Sequence, residues 1–138
     1  LLAVVATGDP AVNQVVSEAA VQRGVLVNRS DQGHAGNLTF MSNHRDGPLT
    51  IAVHTGGASA SAAAHIRALL AETLDPDWAE LLTLALPVRQ QIQAAVSDPA
   101  KRTALLRRLT DDNAMQTLKA GGESALKELY ADIMRDLA

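Results

Sequence analysis

The chain has 138 residues, 47% of them hydrophobic, which is enough to bury the core of one domain or of two small ones. Its 12 lysine and arginine residues against 15 acidic ones exclude the strongly basic surface typical of nucleic-acid-binding proteins. The absence of cysteine excludes disulfides, thiolate zinc sites and cysteine nucleophiles. No apolar run approaches about 18 residues and no secretory signal is recognisable, so we expect no membrane partner and a cytoplasmic location.

The first elements in chain order predict a strand–helix–strand unit. Residues 1–6 form a continuous apolar run, which is typical of a strand buried on both faces of a parallel sheet. Asp9 and Pro10 predict the N-cap and first residue of a helix that Gly24 ends, and residues 25–28 predict the next strand. The expected buried face of this helix consists of Val12, Val15, Val16, Ala19 and Ala20. Because two parallel strands do not form a stable sheet alone, we expect further strands from a preceding segment of the fold or from a partner subunit.

A hairpin and a helix are predicted next. Residues 38–42 and 49–54 read as strands, and the turn-forming residues 43–48 between them favour an antiparallel hairpin. Ser59 is a natural N-cap for a helix over residues 60–73.

The remainder of the sequence has a helical pattern, so the architecture changes from α/β to all-α near residue 74. Residues 75–77 (Asp-Pro-Asp) are predicted to begin a long helix that ends near residue 96, with Pro87 expected to kink it. A second helix begins near Pro99 and ends near residue 109, and a third follows from residues 110–112. The pair Gly121 and Gly122 is expected to separate a final helix.

Polar residues follow both strands of the first unit, at the edge where ligands bind in open α/β sheets. Asp31 comes just after the second strand, and Thr7 and Asp9 follow the first. A carboxylate there can act as a general acid or base, or can hold a ribose hydroxyl. The alternative is an ordinary turn aspartate in a solvated loop.

The segment 55–59, which reads Thr-Gly-Gly-Ala-Ser, is a second candidate site. Its glycines would let the backbone approach a ligand, and the N–H groups at the helix start would suit an anion, although a flexible turn with an N-cap serine explains it equally well. The four histidines match no metal-binding spacing, so we predict no metal site. His34 is retained as a candidate because it is close to Asp31 in the sequence.

In combination, these segments resemble the precorrin-2 dehydrogenase family, which is also the N-terminal module of siroheme synthase. The matching segments are residues 3–9, Asn13, and residues 17–20, 28–31, 48–53 and 55–59. The resemblance is specific over residues 1 to about 74, whereas the helical remainder matches in length and pattern.

The resemblance implies the fold and the division into domains. Residues 1–40 would be the tail of an NAD-binding Rossmann-like domain, the C-terminal half of its parallel sheet. Residues 41–74 would be a hairpin and helix dimerisation segment, and residues 75–138 a helical domain. Since the family's glycine-rich dinucleotide turn belongs to the earlier Rossmann half, the 138-residue chain alone is expected to be a poor dehydrogenase.

The resemblance also implies an activity: NAD-dependent oxidation of precorrin-2 to sirohydrochlorin, with insertion of ferrous iron (a ferrochelatase, or lyase, activity) in some members. Asp31 matches the family's proposed acid/base, and Thr7 and Asp9 are the candidate NAD-binding residues. The candidate substrate-binding residues are Asn28, His34, Thr55, Gly56, Gly57 and Ser59. We expect a homodimer, because the hairpin and the alanine-rich helix offer apolar surface. The competing hypothesis is a non-catalytic homologue that acts as a dimerisation or tetrapyrrole-binding module.

Overall fold

The computed structural model of the chain describes residues 1–136, which form a small parallel sheet, a hairpin and five helices. The strands are β1 (Leu2–Val5), β2 (Leu26–Arg29), β3 (Ser42–Asp46) and β4 (Leu49–Val53). The helices are α1 (Pro10–Gln22), α2 (Ala60–Thr73), α3 (Asp77–Ala95), α4 (Pro99–Arg108) and α5 (Asp112–Arg135). This is the mixed α/β and all-α fold that the sequence predicts.

The predicted strand–helix–strand unit is confirmed. β1 and β2 pair in parallel, with Leu2 opposite Leu26 and Val5 opposite Arg29. The Asp9 carboxylate caps α1 by accepting the N–H groups of Ala11 and Val12 at 2.8 and 3.3 Å.

Two predictions about burial in this unit are wrong. Leu2 and Val4 are 54% and 56% exposed, because within the described chain the two-stranded sheet has α1 on one face and no matching layer on the other. The valines of α1 are exposed as well, and its buried residues are Asn13 and Ser17. These two are small, and their polar groups bond locally, which lets α1 approach the sheet closely.

The first strand of the hairpin begins four residues later than predicted, whereas the second begins at Leu49 as expected. The first strand is Ser42–Asp46 instead of residues 38–42, and the turn is only Gly47 and Pro48. Residues 37 and 38 instead lie along the edge of β2, where the backbone N–H groups of Asn37 and Leu38 both donate to the Val27 carbonyl at 3.0 Å. The Asn37 side-chain oxygen accepts the Val27 N–H at 2.6 Å and completes this contact.

α2 occupies the predicted residues, and Ser59 caps it: its Oγ accepts the Ala62 N–H at 3.1 Å. α3 continues through Pro87. α4 begins at Pro99, as predicted, and the Asp98 side chain caps it. In α5 the backbone leaves helical geometry at Gly122, with φ 66° and ψ −164°, which agrees with the predicted separation there.

The helices α3, α4 and α5 share one apolar core. It includes Leu81, Ile92, Leu109, Leu126 and Ile133, and Trp78 packs against it. The hydroxyl of buried Tyr130 in α5 donates to the Leu109 carbonyl at the end of α4 at 2.8 Å. Each of these helices is therefore stabilised mainly by burial against the other two.

Residue contacts divide the chain into two compact units. The first comprises residues 1–44 and 51–72, and the second comprises residues 45–50 and the chain from Thr73 onward. The hairpin turn belongs to the second unit, where a Cβ built on Gly47 would lie 3.7 Å from side-chain atoms of Ala79 and Thr83 in α3. Every candidate site residue lies in the first unit.

Candidate functional site

A cavity of about 440 Å³ opens in the first unit, between the end of β2, the end of β4 and the start of α2. Four of the nine predicted site residues line it: Asn28, Asp31, Thr55 and Gly57. The remaining lining residues are Arg29, Ser30, Gly33, Thr39, Phe40, Met41, Ser42, Val53, His54, Ala60 and Ala63. The fold thus brings together two segments that are about 25 positions apart in the sequence.

The loop after β2 and the glycine turn after β4 lie against each other. A Cβ built on Gly33 would lie 3.8 Å from the Cα of Gly57, so both backbones approach closely at this wall of the cavity. Gly57 has φ 86°, a conformation that favours glycine.

The Asp31 carboxylate is held by a bidentate ion pair with Arg29. Its Oδ1 accepts from Nε at 3.0 Å and its Oδ2 from Nη2 at 2.6 Å. Chiefly through these bonds, and despite some desolvation, the guanidinium holds the pKa of Asp31 well below its usual range. The carboxylate is therefore ionised at neutral pH and can accept a proton or a hydrogen bond.

The N–H groups of the glycine turn are less available than the sequence suggests. The Gly56 N–H donates to Nδ1 of His54 at 3.3 Å, and the Ala58 N–H to the Thr55 carbonyl at 3.1 Å. The Ser59 N–H donates to the Thr55 hydroxyl at 3.1 Å, and that hydroxyl donates back to the Ser59 carbonyl at 3.0 Å. Of the four backbone N–H groups in residues 56–59, Gly57 alone is left for an anion.

Thr7 and Asp9, which precede α1, do not line this cavity. The buried Asn13 side chain accepts from the Thr7 N–H at 3.0 Å and from the Thr7 hydroxyl at 2.5 Å, and donates to the Thr7 carbonyl at 3.1 Å. The Asp9 carboxylate occupies the first N–H groups of α1, so this helix start does not fit a pyrophosphate. Gly8 is open, with no atom within 4 Å of a Cβ built on it.

The histidines are dispersed. His34 lies in the loop after β2, outside the cavity lining, whereas His54 lines the cavity at the end of β4. Among residues 1–136 no group of three or more His, Asp or Glu side chains could hold a metal ion.

Two arginines were not singled out from the sequence. Arg29 stands two positions before Asp31 at the end of a strand, where alternate residues share a face, and that spacing is the signal that could have revealed it. Arg67 follows Ala60 and Ala63 at helical spacing, so it shares their cavity-lining face of α2. Its Nε is buried and has no hydrogen-bond partner within the described chain.

Comparison with known proteins identifies relatives over nearly the whole chain. Residues 1–42 match a family model described as "Putative NAD(P)-binding". The siroheme synthase 1 of Halorhodospira halophila is 30% identical over 134 residues, which are 97% of this chain and 27% of that protein. The siroheme synthase of Citrobacter koseri is 29% identical over 136 residues, or 98% of this chain and 30% of that protein. This chain thus spans less than a third of these relatives.

A solved structure has the same fold. "SirC, precorrin-2 dehydrogenase" superposes with a TM-score of 0.75 at 25% sequence identity, over 96% of this chain and 62% of that one. In addition, no helix in residues 1–136 is long and apolar enough to cross a membrane. The resemblance to the precorrin-2 dehydrogenase and siroheme synthase family, which the sequence motifs indicate, is therefore confirmed over nearly the whole length of this chain.

Proposed function

We propose that the chain belongs to an enzyme of siroheme biosynthesis that oxidises precorrin-2 to sirohydrochlorin with NAD. The observation that carries this proposal is the ionised Asp31 carboxylate in a cavity at the strand ends, in a chain similar to precorrin-2 dehydrogenase over 96% of its length. The similarity of residues 1–42 to an NAD(P)-binding family supports the choice of cofactor.

In this reaction NAD, when bound, accepts a hydride, and the protein must remove the accompanying proton. Asp31 is the carboxylate in the cavity lining, so it is the group to which we assign that task; it is ionised at neutral pH, and its pairing with Arg29 makes it a weak base. The Arg29 pair orients it, and the adjoining backbones at Gly33 and Gly57 form one wall of the same cavity. Thr7 and Asp9 would contact a ribose hydroxyl of the cofactor.

The substrate would be held by groups around the same cavity. The substrate of the resembling family carries several carboxylates, and the N–H of Gly57 and the guanidinium of Arg67 are suited to bind them. Asn28, His34, Thr55, Gly56 and Ser59 complete the proposed substrate-binding set. The side chains of Thr55 and Ser59 shape the turn through their mutual hydrogen bonds, and Gly56 is tied to His54.

We also propose a homodimer formed through the segment 41–74, which is flanked by the Rossmann-like residues 1–40 and the helical residues 75–138. Large apolar side chains are exposed at one end of this segment and on α2: Phe40, Met41, Ile66, Leu69 and Leu70, at 42–54%. Ferrochelatase activity, ferrous iron as a substrate and the cytoplasmic location stay predictions.

The decisive experiment measures precorrin-2 oxidation and NAD reduction by the full-length protein, together with tetrapyrrole binding by calorimetry. Turnover that requires NAD is the expected result. Binding without turnover at any pH would instead support the second candidate, a non-catalytic tetrapyrrole-binding module. The observation that favours this second candidate is that the 138 residues contain no glycine-rich dinucleotide turn: the segment after β1 reads Thr-Gly-Asp-Pro, and Asp9 caps α1.

A further inference from the structure

Arg29 is a charged side chain in a buried position. It is 2% exposed, and within the described chain it is the one charged residue in the buried set, beside Asn13, Ser17 and Asn28. Burying a guanidinium is costly unless its N–H groups are paired. The buried guanidinium of Arg29 must therefore find hydrogen-bond acceptors within the protein.

The guanidinium is held from two sides. Nε and Nη2 donate to the two oxygens of Asp31, and Nη1 donates to the Gln14 side-chain oxygen of α1 at 2.5 Å. Gln14 in turn donates to Glu18 at 2.5 Å, one turn further along α1. The result is a chain of polar contacts from Glu18 through Gln14 and Arg29 to the cavity, with Asp31 at its end.

A turn aspartate bonds chiefly to nearby backbone N–H groups, whereas at Asp31 the bonds from Arg29 outweigh those from the Asn13 side chain and from its own backbone N–H. Both Asp31 oxygens are bound by a planar fork, which fixes the plane of the carboxylate as well as its position. The Asp31 side chain keeps 24% of its surface exposed at the cavity, while that of Arg29 keeps 1%. Arg29 is thus too deeply buried to act on a ligand directly.

We propose that Arg29 is a positioning residue that fixes the orientation and negative charge of Asp31, with Gln14 anchoring the guanidinium from α1. This inference rests on the proposed function in one respect only, the role of the Asp31 carboxylate as the base in precorrin-2 oxidation. The charged or titratable groups that face the pair are Glu18 from α1 and His54 from the end of β4, and α2 contributes Ala60 and Ala63 to the lining. Asp31 then serves as a proton acceptor and not as a proton donor at neutral pH.

The test is a carbon-13 NMR titration of the aspartate carboxyls in the full-length protein, with Asp31 assigned by Asp31→Asn. In wild type the Asp31 pKa is expected below its ordinary value near 3.9. Arg29→Met should raise it by about one to three pH units, and Arg29→Lys, which keeps the charge but loses the fork, by less. Arg23→Met is the matched control, since Arg23 is exposed and donates to the Ala19 carbonyl at 2.7 Å.

Activity supplies a second measurement. Arg29→Lys should lower kcat with little change in KM, because a misoriented base slows the chemical step and leaves binding intact. An Asp31 that titrates at its ordinary value in wild type, or identically in wild type and Arg29→Lys, would overturn the inference. If Arg29→Met does not fold, Arg29→Lys decides. If the titration behaves as expected but the wild-type protein does not oxidise precorrin-2, the inference stands and the proposed function fails.

Discussion

The proposed chemistry depends on one carboxylate, so replacing Asp31 by asparagine gives the most direct prediction. The amide keeps the size of the side chain but cannot accept a proton, and removal of a positioned base lowers kcat by roughly 10²–10⁴-fold. NAD affinity should change less than kcat, since Thr7 and Asp9 are not among the residues that line the cavity beside Asp31. Steady-state kinetics of the full-length Asp31→Asn protein measure both. A near-normal kcat in Asp31→Asn would contradict the prediction and would show that Asp31 is an ordinary turn residue.

Arg67 gives a prediction about binding instead of chemistry. Its buried Nε lacks a partner within the described chain, and it shares a helix face with cavity-lining Ala60 and Ala63. If it binds a substrate carboxylate, Arg67→Gln should raise KM for the tetrapyrrole roughly tenfold or more and alter kcat less, as expected for loss of a charge-assisted hydrogen bond. Arg23→Gln is the control. Equal KM values for both variants would exclude Arg67 from the substrate site.

At the scale of elements, residues 36–38 lie so close to β2 that a side chain at Gly36 would have no room. A Cβ at Gly36 would lie 2.2 Å from the Val27 carbonyl oxygen, which accepts the N–H groups of Asn37 and Leu38. Gly36→Ala should therefore destabilise the first unit by roughly 1–3 kcal/mol, as overpacking does.

Gly8→Ala is the matched control, because a Cβ there meets no atom within 4 Å. Hydrogen exchange of the β2 amides, read alongside thermal unfolding followed by circular dichroism, measures both variants. Equal protection in Gly36→Ala and Gly8→Ala would contradict the predicted clash.

The junction of α4 and α5 should respond to high pH. Burial, with a smaller contribution from Asp111, raises the pKa of the Tyr130 phenol to about 12. Since an unfolded tyrosine titrates near 10, the folded state binds the proton more tightly, and stability falls as pH rises from about 10 through 12. Tyr130→Phe should lose roughly 1 kcal/mol at pH 8, from the bond to the Leu109 carbonyl, and should lack this component of the alkaline decline.

Urea unfolding of wild type and Tyr130→Phe at pH 8 and pH 11 measures the effect. The difference between the proteins removes the contribution of other groups, among them Lys119, whose pKa is raised by Asp75. An unchanged difference at the two pH values would show that the phenol does not titrate as expected.

Helix ends were predictable from the sequence because their information is local. The Asp9–Pro10 and Asp98–Pro99 pairs and Ser59 each mark a helix start, and each side chain caps its helix. The first hairpin strand was not predictable from residues 38–42 alone. The start of this strand depends on the pairing of Asn37 with Val27 at the edge of β2, ten residues earlier. The hydrophobic periodicity of the sequence does not reveal that contact.

In the candidate site, too, the sequence reveals local features but not the contacts between residues that are distant in the chain. Asp31 and the turn at Thr55 were found because polar residues at strand ends are a sequence-level pattern. The bonds that fix the Asp31 carboxylate require Arg29 to meet Gln14, 15 residues away on a helix, and their formation depends on how α1 lies on the sheet. The Arg29–Asp31 spacing alone does not distinguish an ion pair from two solvated side chains.

At the scale of the whole molecule, the proposed dimer gives the last prediction. Leu69 and Ile66 are exposed on α2, and placing a charge in an apolar interface opposes association. Leu69→Glu should shift a micromolar sample from dimer to monomer in sedimentation velocity. Leu86→Glu, the same change at an exposed leucine of the second unit, should leave the dimer intact. A wild-type protein that sediments as a monomer would end the proposal.

The distribution of aromatic residues determines how this protein can be observed. The chain has one tryptophan and one tyrosine, and both Trp78 and Tyr130 belong to the helical core of the second unit. Intrinsic tryptophan and tyrosine fluorescence therefore reports unfolding of α3, α4 and α5, and does not report unfolding of the first unit, which contains the cavity. Phe40 lines that cavity and is 53% exposed, so a Trp78→Phe, Phe40→Trp double variant would transfer the fluorophore to the cavity. Tryptophan fluorescence of the wild type would then report unfolding of the second unit, and that of the double variant would report unfolding of the first.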